Sequence, residues 1–260
     1  MRAVEPVAEG KPAWSDGVFL VDKPEGLTSF AIVRRIRRLL GIKKVGHAGT
    51  LDPFATGLLI VCAGRTATRQ IELLMNGRKT YRARLQLGVE TTTQDPEGAV
   101  TATSPVPELD AAILAACLQR HAGPQMQVPP PFSAAKHKGK PLYAYARKGV
   151  LIEKPAKPVE IFSLECVDYD AVTSQLTITV ECSRGTYIRV LAADIGRSLG
   201  CGAHLIGLRR TRSGLFSVED SLPGTALFAE DGLPLLHAGR RGIEEVVQLA
   251  GQSSFCTCHG

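Results

Sequence analysis

Apolar residues recur along this chain with two different periods. In KTYRARLQLG, Tyr81, Ala83, Leu85 and Leu87 fall on one side, and Arg82, Arg84 and Gln86 on the other. That alternation predicts a strand with one wet, basic face. LTITVEC, residues 176–182, alternates in the same way, and GVFLVDKP reads as a short buried strand ending at Pro24. LLIVCAG and AHLIGLRR are further apolar runs. Elsewhere the period becomes helical. Ile32, Val33, Ile36, Leu39 and Leu40 follow a cap at Thr28 or Ser29 and stop at Gly41, which predicts a helix whose other face carries arginines. Further helices are predicted from about Thr66 to Asn76, over PELDAAILAACLQRHAG to Gly123, and from the turn at Gly185 to Gly200.

VETTTQDPEG reads as a polar turn segment, and the prolines of QVPPPFSAAKHKGKP bar it from regular structure. Strands interspersed with helices, without a regular β-α-β rhythm, predict an α+β fold around a mainly antiparallel sheet. Residues 1–16 are expected to form a loose arm, residues 17–220 one domain, and residues 221–260 a short extension. Within that extension DGLPLLHAGRRGIEEVVQLA predicts one amphipathic helix.

Composition adds a globular chain of 260 residues, 44% hydrophobic and long enough to bury a sizeable core. The formal charge is +6 and unevenly spread, with Arg34, Arg35, Arg37, Arg38, Lys43 and Lys44 crowded into one segment. Such a cluster suits a polyanion, because each neutralised phosphate releases a counterion; a solvated helix face is the plainer alternative. Seven cysteines at irregular spacing, with no Cys-x-x-Cys pair, disfavour a disulfide framework and a zinc ribbon. The ending CTCHG gathers Cys256, Cys258 and His259 without metal-site spacing. The first residues carry no signal-peptide pattern and no run is long enough to span a membrane, so the expected compartment is the cytoplasm.

The stretch GHAGTLDPFATG, Gly46 to Gly57, matches neither a P-loop nor a dinucleotide fingerprint. It presents one carboxylate, Asp52, whose backbone freedom Pro53 narrows. Such a turn can aim a side chain, or Asp52 can simply cap a helix with Pro53 at its first position.

GHAGTLDPFATGLL closely resembles the catalytic motif of the TruB family, the tRNA pseudouridine-55 synthases. LVDKPEGLTS, KTYRARLQLGVETTTQDPEG, PPPFSAAKHKGKPLYAYARKG and CSRGTYIRVLAADIGRSLGCGAHLIGLRR resemble other family segments in family order, over roughly residues 17–215. The resemblance implies the pseudouridine synthase fold and a cofactor-free reaction: uracil is detached from its ribose, turned over and rejoined through carbon. It implies Asp52 as nucleophile, attacking sugar or base. Arg189 would pair with that carboxylate, Asp95 would partner Arg189, and Tyr81 would stack on the extruded uracil within reach of its proton chemistry. Tyr187 and Leu208 would wall the pocket. His47 would brace the RNA where the base has left the stack, with Lys23, Pro24, Arg65 and Arg69 near the site or the phosphate track. The arginine-rich helix and Lys136 to Lys140 are read as further RNA backbone contacts.

Ala48 and Phe54 depart from the motif's frequent Thr and Leu. The implied partner is the T arm of tRNA, bound by a monomer, with no metal. Bacterial members usually end in an RNA-binding PUA barrel, for which residues 221–260 are too few. A guide-RNA-dependent synthase and a tRNA-folding chaperone with incidental catalysis are the alternatives.

Overall fold

A computed structural model describes residues 16–255, the side chains only as far as Gly251. Cys256, Cys258 and His259, and all of the expected arm except Asp16, lie outside the described residues. The described residues divide into two compact units: residues 16–53, 57–76 and 215–255 form the first, and residues 54–56 and 77–214 the second.

The first unit opens with β1 (Gly17–Lys23). Thr28 caps α1 (Ser29–Leu40) by accepting a hydrogen bond from the Ala31 amide at 3.0 Å. β2 (Val45–Ala48) follows, then β3 (Thr56–Ala63), which pairs antiparallel with β1 and with β2. Both faces of this sheet are covered, which is why its strands read as unbroken apolar runs. Phe19, Val21, Leu59 and Val61 face one core with Ile32, Val33 and Ile36 of α1; Val18, Leu20, Leu58 and Ile60 face the other. The single helix predicted from Thr66 to Asn76 is two short ones, α2 (Arg65–Arg69) and α3 (Ile71–Met75), parted at Gln70.

The second unit is built on a five-stranded antiparallel sheet. It contains β4 (Lys79–Leu87), a hairpin of β5 (Val89–Thr91) and β6 (Val100–Thr103), α4 (Ala111–Arg120), and β7 (Gly123–Gln127). A small hairpin, β8 (Lys136–His137) with β9 (Lys140–Pro141), leads into α5 (Leu142–Ala146). β10 (Lys157–Asp170), β11 (Gln175–Cys182), α6 (Ile188–Ser198) and β12 (Ala203–Ser213) complete it. The strand order is β12, β4, β11, β10, β7. β4 shows the expected alternation, with Tyr81, Ala83, Leu85 and Leu87 buried and Arg82 and Arg84 exposed. α4 stops at Arg120, short of Gly123, which instead begins β7. α6 packs so closely on the turn after it that a Cβ on Gly196 would lie 2.3 Å from the Ala203 nitrogen, so only glycine fits there.

The chain then returns to the first unit. Leu222–Pro223 pairs in parallel with β1, which makes that unit's sheet mixed. The expected single tail helix is two, α7 (Gly232–Ala238) and α8 (Ile243–Phe255), because Gly239 and Gly242 interrupt the helical run between them. Leu227 and Leu236 enter the core beside α1, whereas Val246 and Ala250 enter the other.

Candidate active site

Five of the sequence-designated residues belong to the first unit. The backbone from Leu51 to Ala55 is non-helical, so Asp52 caps no helix and stands half-buried between buried Leu51 and half-buried Pro53. Its two neighbours are tied down. The Pro53 carbonyl accepts from the Gly26 amide at 2.9 Å and from Lys23 Nζ at 3.1 Å. The Leu51 amide donates to Ser29 Oγ, and that hydroxyl donates to the Leu51 carbonyl, both at 2.9 Å. His47 is half-buried on β2 opposite Val61, and Arg65 and Arg69 are exposed at the two ends of α2.

Lys23 differs from the expected RNA contact. Its side chain is fully buried, and Nζ donates to the carbonyls of Pro24 (2.9 Å), Leu27 (2.6 Å) and Pro53. An ammonium has three donors, and here main-chain oxygens take them, so Lys23 braces the loop.

The arginine-rich helix also divides its labour. Arg35 Nε donates to the Leu227 carbonyl at 2.5 Å, and its guanidinium stands 5.7 Å from the Phe228 ring. Arg37 Nη2 donates to the Val45 carbonyl at 2.6 Å. Arg34, Arg38, Lys43 and Lys44 are exposed, and Arg34, Arg37, Arg38 and Lys43 rim a shallow depression of about 540 Å³. Two of the four helix arginines thus hold the fold, and two face solvent.

The second unit contains Tyr81, Asp95, Tyr187, Arg189 and Leu208. Arg189 lies in the first turn of α6 and is almost wholly buried. Its Nη1 donates to the Thr93 carbonyl at 2.9 Å and lies 3.2 Å from Asp95 Oδ2; its Nη2 donates to the Phe132 carbonyl at 2.7 Å. The guanidinium therefore joins α6, the β5–β6 turn and the proline run through charge-assisted bonds. Asp95 is fixed in turn: the Thr93 hydroxyl and the Glu97 amide donate to its Oδ1, and its own amide donates to Thr91 Oγ1. Gln127, buried at the end of β7, clasps the Tyr187 main chain, accepting from its amide at 2.9 Å and donating to its carbonyl at 3.4 Å.

Tyr81 is buried on β4 between Val180 of β11 and Arg210 of β12, and Leu208 is half-buried opposite Ala83. A cleft of about 370 Å³ lies beside this network, lined by Thr92 to Gln94, the proline run, Arg189 and the Val190, Asp194 and Arg197 face of α6. Lys79, two residues before Tyr81, is buried; desolvation, the nearby Arg210 cation, opposed by Cys182, and then Arg184 bring its pKa down from 10.5 to about 8. Cys62, Cys117, Cys166, Cys182 and Cys201 are free thiols. Among the described residues no cluster of metal-ligating side chains forms, and no helix is long and apolar enough to cross a membrane.

Sequence reasoning does not single out Ser29, Gln127 or Thr93 as parts of these networks. One signal is present for the first: Ser29 continues the helical stripe of Ile32, Val33, Ile36 and Leu40, and a hydroxyl on an apolar face calls for a buried partner.

Residues 37–188 match the model of the TruB family pseudouridylate synthase N-terminal domain, and residues 189–227 that of the tRNA pseudouridylate synthase B C-terminal domain. Among curated relatives, tRNA pseudouridine synthase B of Desulfotalea psychrophila is 57% identical over 218 residues, covering 83% of this chain and 89% of the relative. Its counterpart in Aromatoleum aromaticum is 51% identical over 214 residues, covering 82% and 68%. Among solved structures, a chain of the archaeal box H/ACA sRNP Nop10–Cbf5 complex superposes with a TM-score of 0.64 at 28% identity. That match covers 89% of this chain and 61% of the matched one, so the present chain spans about three-fifths of that neighbour.

Proposed function

The chain belongs to the TruB family of pseudouridylate synthases, and on that premise we propose that it isomerises a uridine in the T loop of tRNA, position 55, as a stand-alone, cofactor-independent cytoplasmic monomer. The observation that carries this reading is Asp52 in its non-helical, doubly tethered loop, within a chain 57% identical to a relative named tRNA pseudouridine synthase B.

The reaction breaks the N1–C1′ bond of uridine and forms a C5–C1′ bond. C5 loses a proton and N1 gains one, so the product is an isomer of the substrate. Asp52 supplies the nucleophile, whichever of sugar or base it attacks. Tyr81 stacks on the flipped base and stands within reach of its proton chemistry. Arg189, fixed by Asp95, is the residue that the family motif pairs with the nucleophile, and Tyr187 and Leu208 are those it assigns to the wall around the base. His47 braces the loop the base has left, and Arg65, Arg69 and the exposed cations of α1 take RNA phosphates.

Mapping pseudouridine by position in an unmodified tRNA transcript, incubated with the purified protein alone, tests this reading. One product in the T loop is expected. Product only on addition of a guide RNA would overturn the stand-alone reading, and tight binding without product would favour a folding chaperone.

A further inference from the structure

Asp52 hangs between two anchored peptide groups. On its C-terminal side the Pro53 carbonyl is held by the Gly26 amide and Lys23 Nζ, and the proline ring fixes the Pro53 φ. On its N-terminal side, Leu51 is held by one hydroxyl. Ser29 Oγ accepts from the Leu51 amide and donates to the Leu51 carbonyl, each at 2.9 Å, so a side chain does what a neighbouring strand does in a sheet. Leu51 and Ser29 are both buried. If the hydroxyl were missing, both main-chain groups would lose their partner away from water.

Helix capping does not account for the hydroxyl, because Thr28 caps α1. Nor is Ser29 on a mobile element: α1 is seated in the core by Ile32, Val33, Ile36 and Leu40. Position and chemistry therefore leave the loop as the beneficiary. We infer that Ser29 is a positioning residue for Asp52: its hydroxyl transfers the rigidity of α1 to the peptide that precedes the nucleophile, and so sets the direction of the carboxylate. The inference rests on the reading of Asp52 as nucleophile.

The nearest consequence is kinetic. A displacement of about 1 Å at a reacting group can cost on the order of a hundredfold in rate, whereas the RNA-binding surface has no reason to change. Ser29→Ala is expected to lower the single-turnover rate on a tRNA transcript by about 10- to 100-fold while Kd stays within about twofold, and Ser29→Thr, which keeps the hydroxyl, to recover most of the rate. In the wild-type protein the Leu51 amide is expected to be protected from hydrogen exchange, a measurement that does not depend on any variant folding. Three results would overturn the inference: a Ser29→Ala rate within twofold of wild type, a loss of rate matched by a loss of affinity, or a Leu51 amide exchanging at the unprotected rate. Ser29→Thr as slow as Ser29→Ala would overturn it too. Asp52→Asn is assayed in parallel: turnover by that variant removes the nucleophile reading itself, whereas an inactive Asp52→Asn beside a full-rate Ser29→Ala removes only the role given to Ser29.

Discussion

The guanidinium of Arg189 lies 3.2 Å from the Asp95 carboxylate, and both side chains are almost wholly buried. A buried pair adds little over an apolar core, but removing one partner strands the other's charge and typically costs about 3 to 5 kcal/mol. Asp95→Ala should therefore destabilise by that order, and Asp95→Asn, which keeps an acceptor for the Thr93 hydroxyl and the Glu97 amide, by less. Calorimetric unfolding reads the difference, and an unchanged Tm for Asp95→Ala would show that Arg189 does not rely on it.

Asp52→Asn should abolish turnover while tRNA affinity stays within about twofold, because the change removes a nucleophile and keeps its shape. Tyr81→Phe, which retains the stacking ring, should bind RNA normally and react at least about tenfold more slowly if the phenol takes part in proton transfer. Rate and Kd measured on one transcript separate the two effects, and full activity of Tyr81→Phe would confine that residue to stacking.

The basic helix yields opposite outcomes for adjacent residues. Replacing Arg34, Arg38, Lys43 and Lys44 by glutamine should weaken tRNA binding and flatten its dependence on salt by about 0.7 to 0.9 in the log–log slope for each phosphate no longer neutralised. Replacing Arg35 or Arg37, which bind the carbonyls of Leu227 and Val45, should lower stability by about 1 to 2 kcal/mol and leave the slope alone. A salt slope unmoved by the fourfold change would make the exposed cations a solvated face.

Lys79 makes stability depend on pH. Its folded pKa of about 8 lies below the ordinary 10.5, so between those values the unfolded chain binds more protons and folding becomes more favourable as pH rises. Below about pH 8 the penalty for burying the charge is fully present. The Tm of the wild type relative to Lys79→Met should rise from pH 8 to pH 10, and a constant difference would refute the buried-cation account.

The elements legible in the sequence are those whose burial alternates cleanly. β4 and β11 follow a period of two and α1 a period near 3.6, and the pattern bounds each within a few residues. β10 escapes because its pairing with β11 shifts register between Ile161 and Ser163 and again between Cys166 and Asp168, which breaks the alternation of KPVEIFSLECVDYD. The expected helices over residues 66–76 and in the tail fail for a related reason: an apolar pattern can run on across a backbone break at Gln70 or at Gly239 to Gly242. In the candidate site, motif resemblance supplies residue identities but not their partners. Nothing in one dimension distinguishes a lysine that meets phosphate from Lys23, whose ammonium is turned inward to three carbonyls.

The return of the chain to its first unit has a consequence for synthesis. Strands β1 and β3 leave the ribosome early, yet Leu236 and Val246, which help fill the cores on their two faces, follow far later. At about 5 to 20 residues per second, that interval is on the order of ten seconds or more. During it the nascent sheet lacks part of its apolar cover, so this unit matures only after Leu236 and Val246 have been made, whereas the contiguous run of residues 77–214 is available to fold before them.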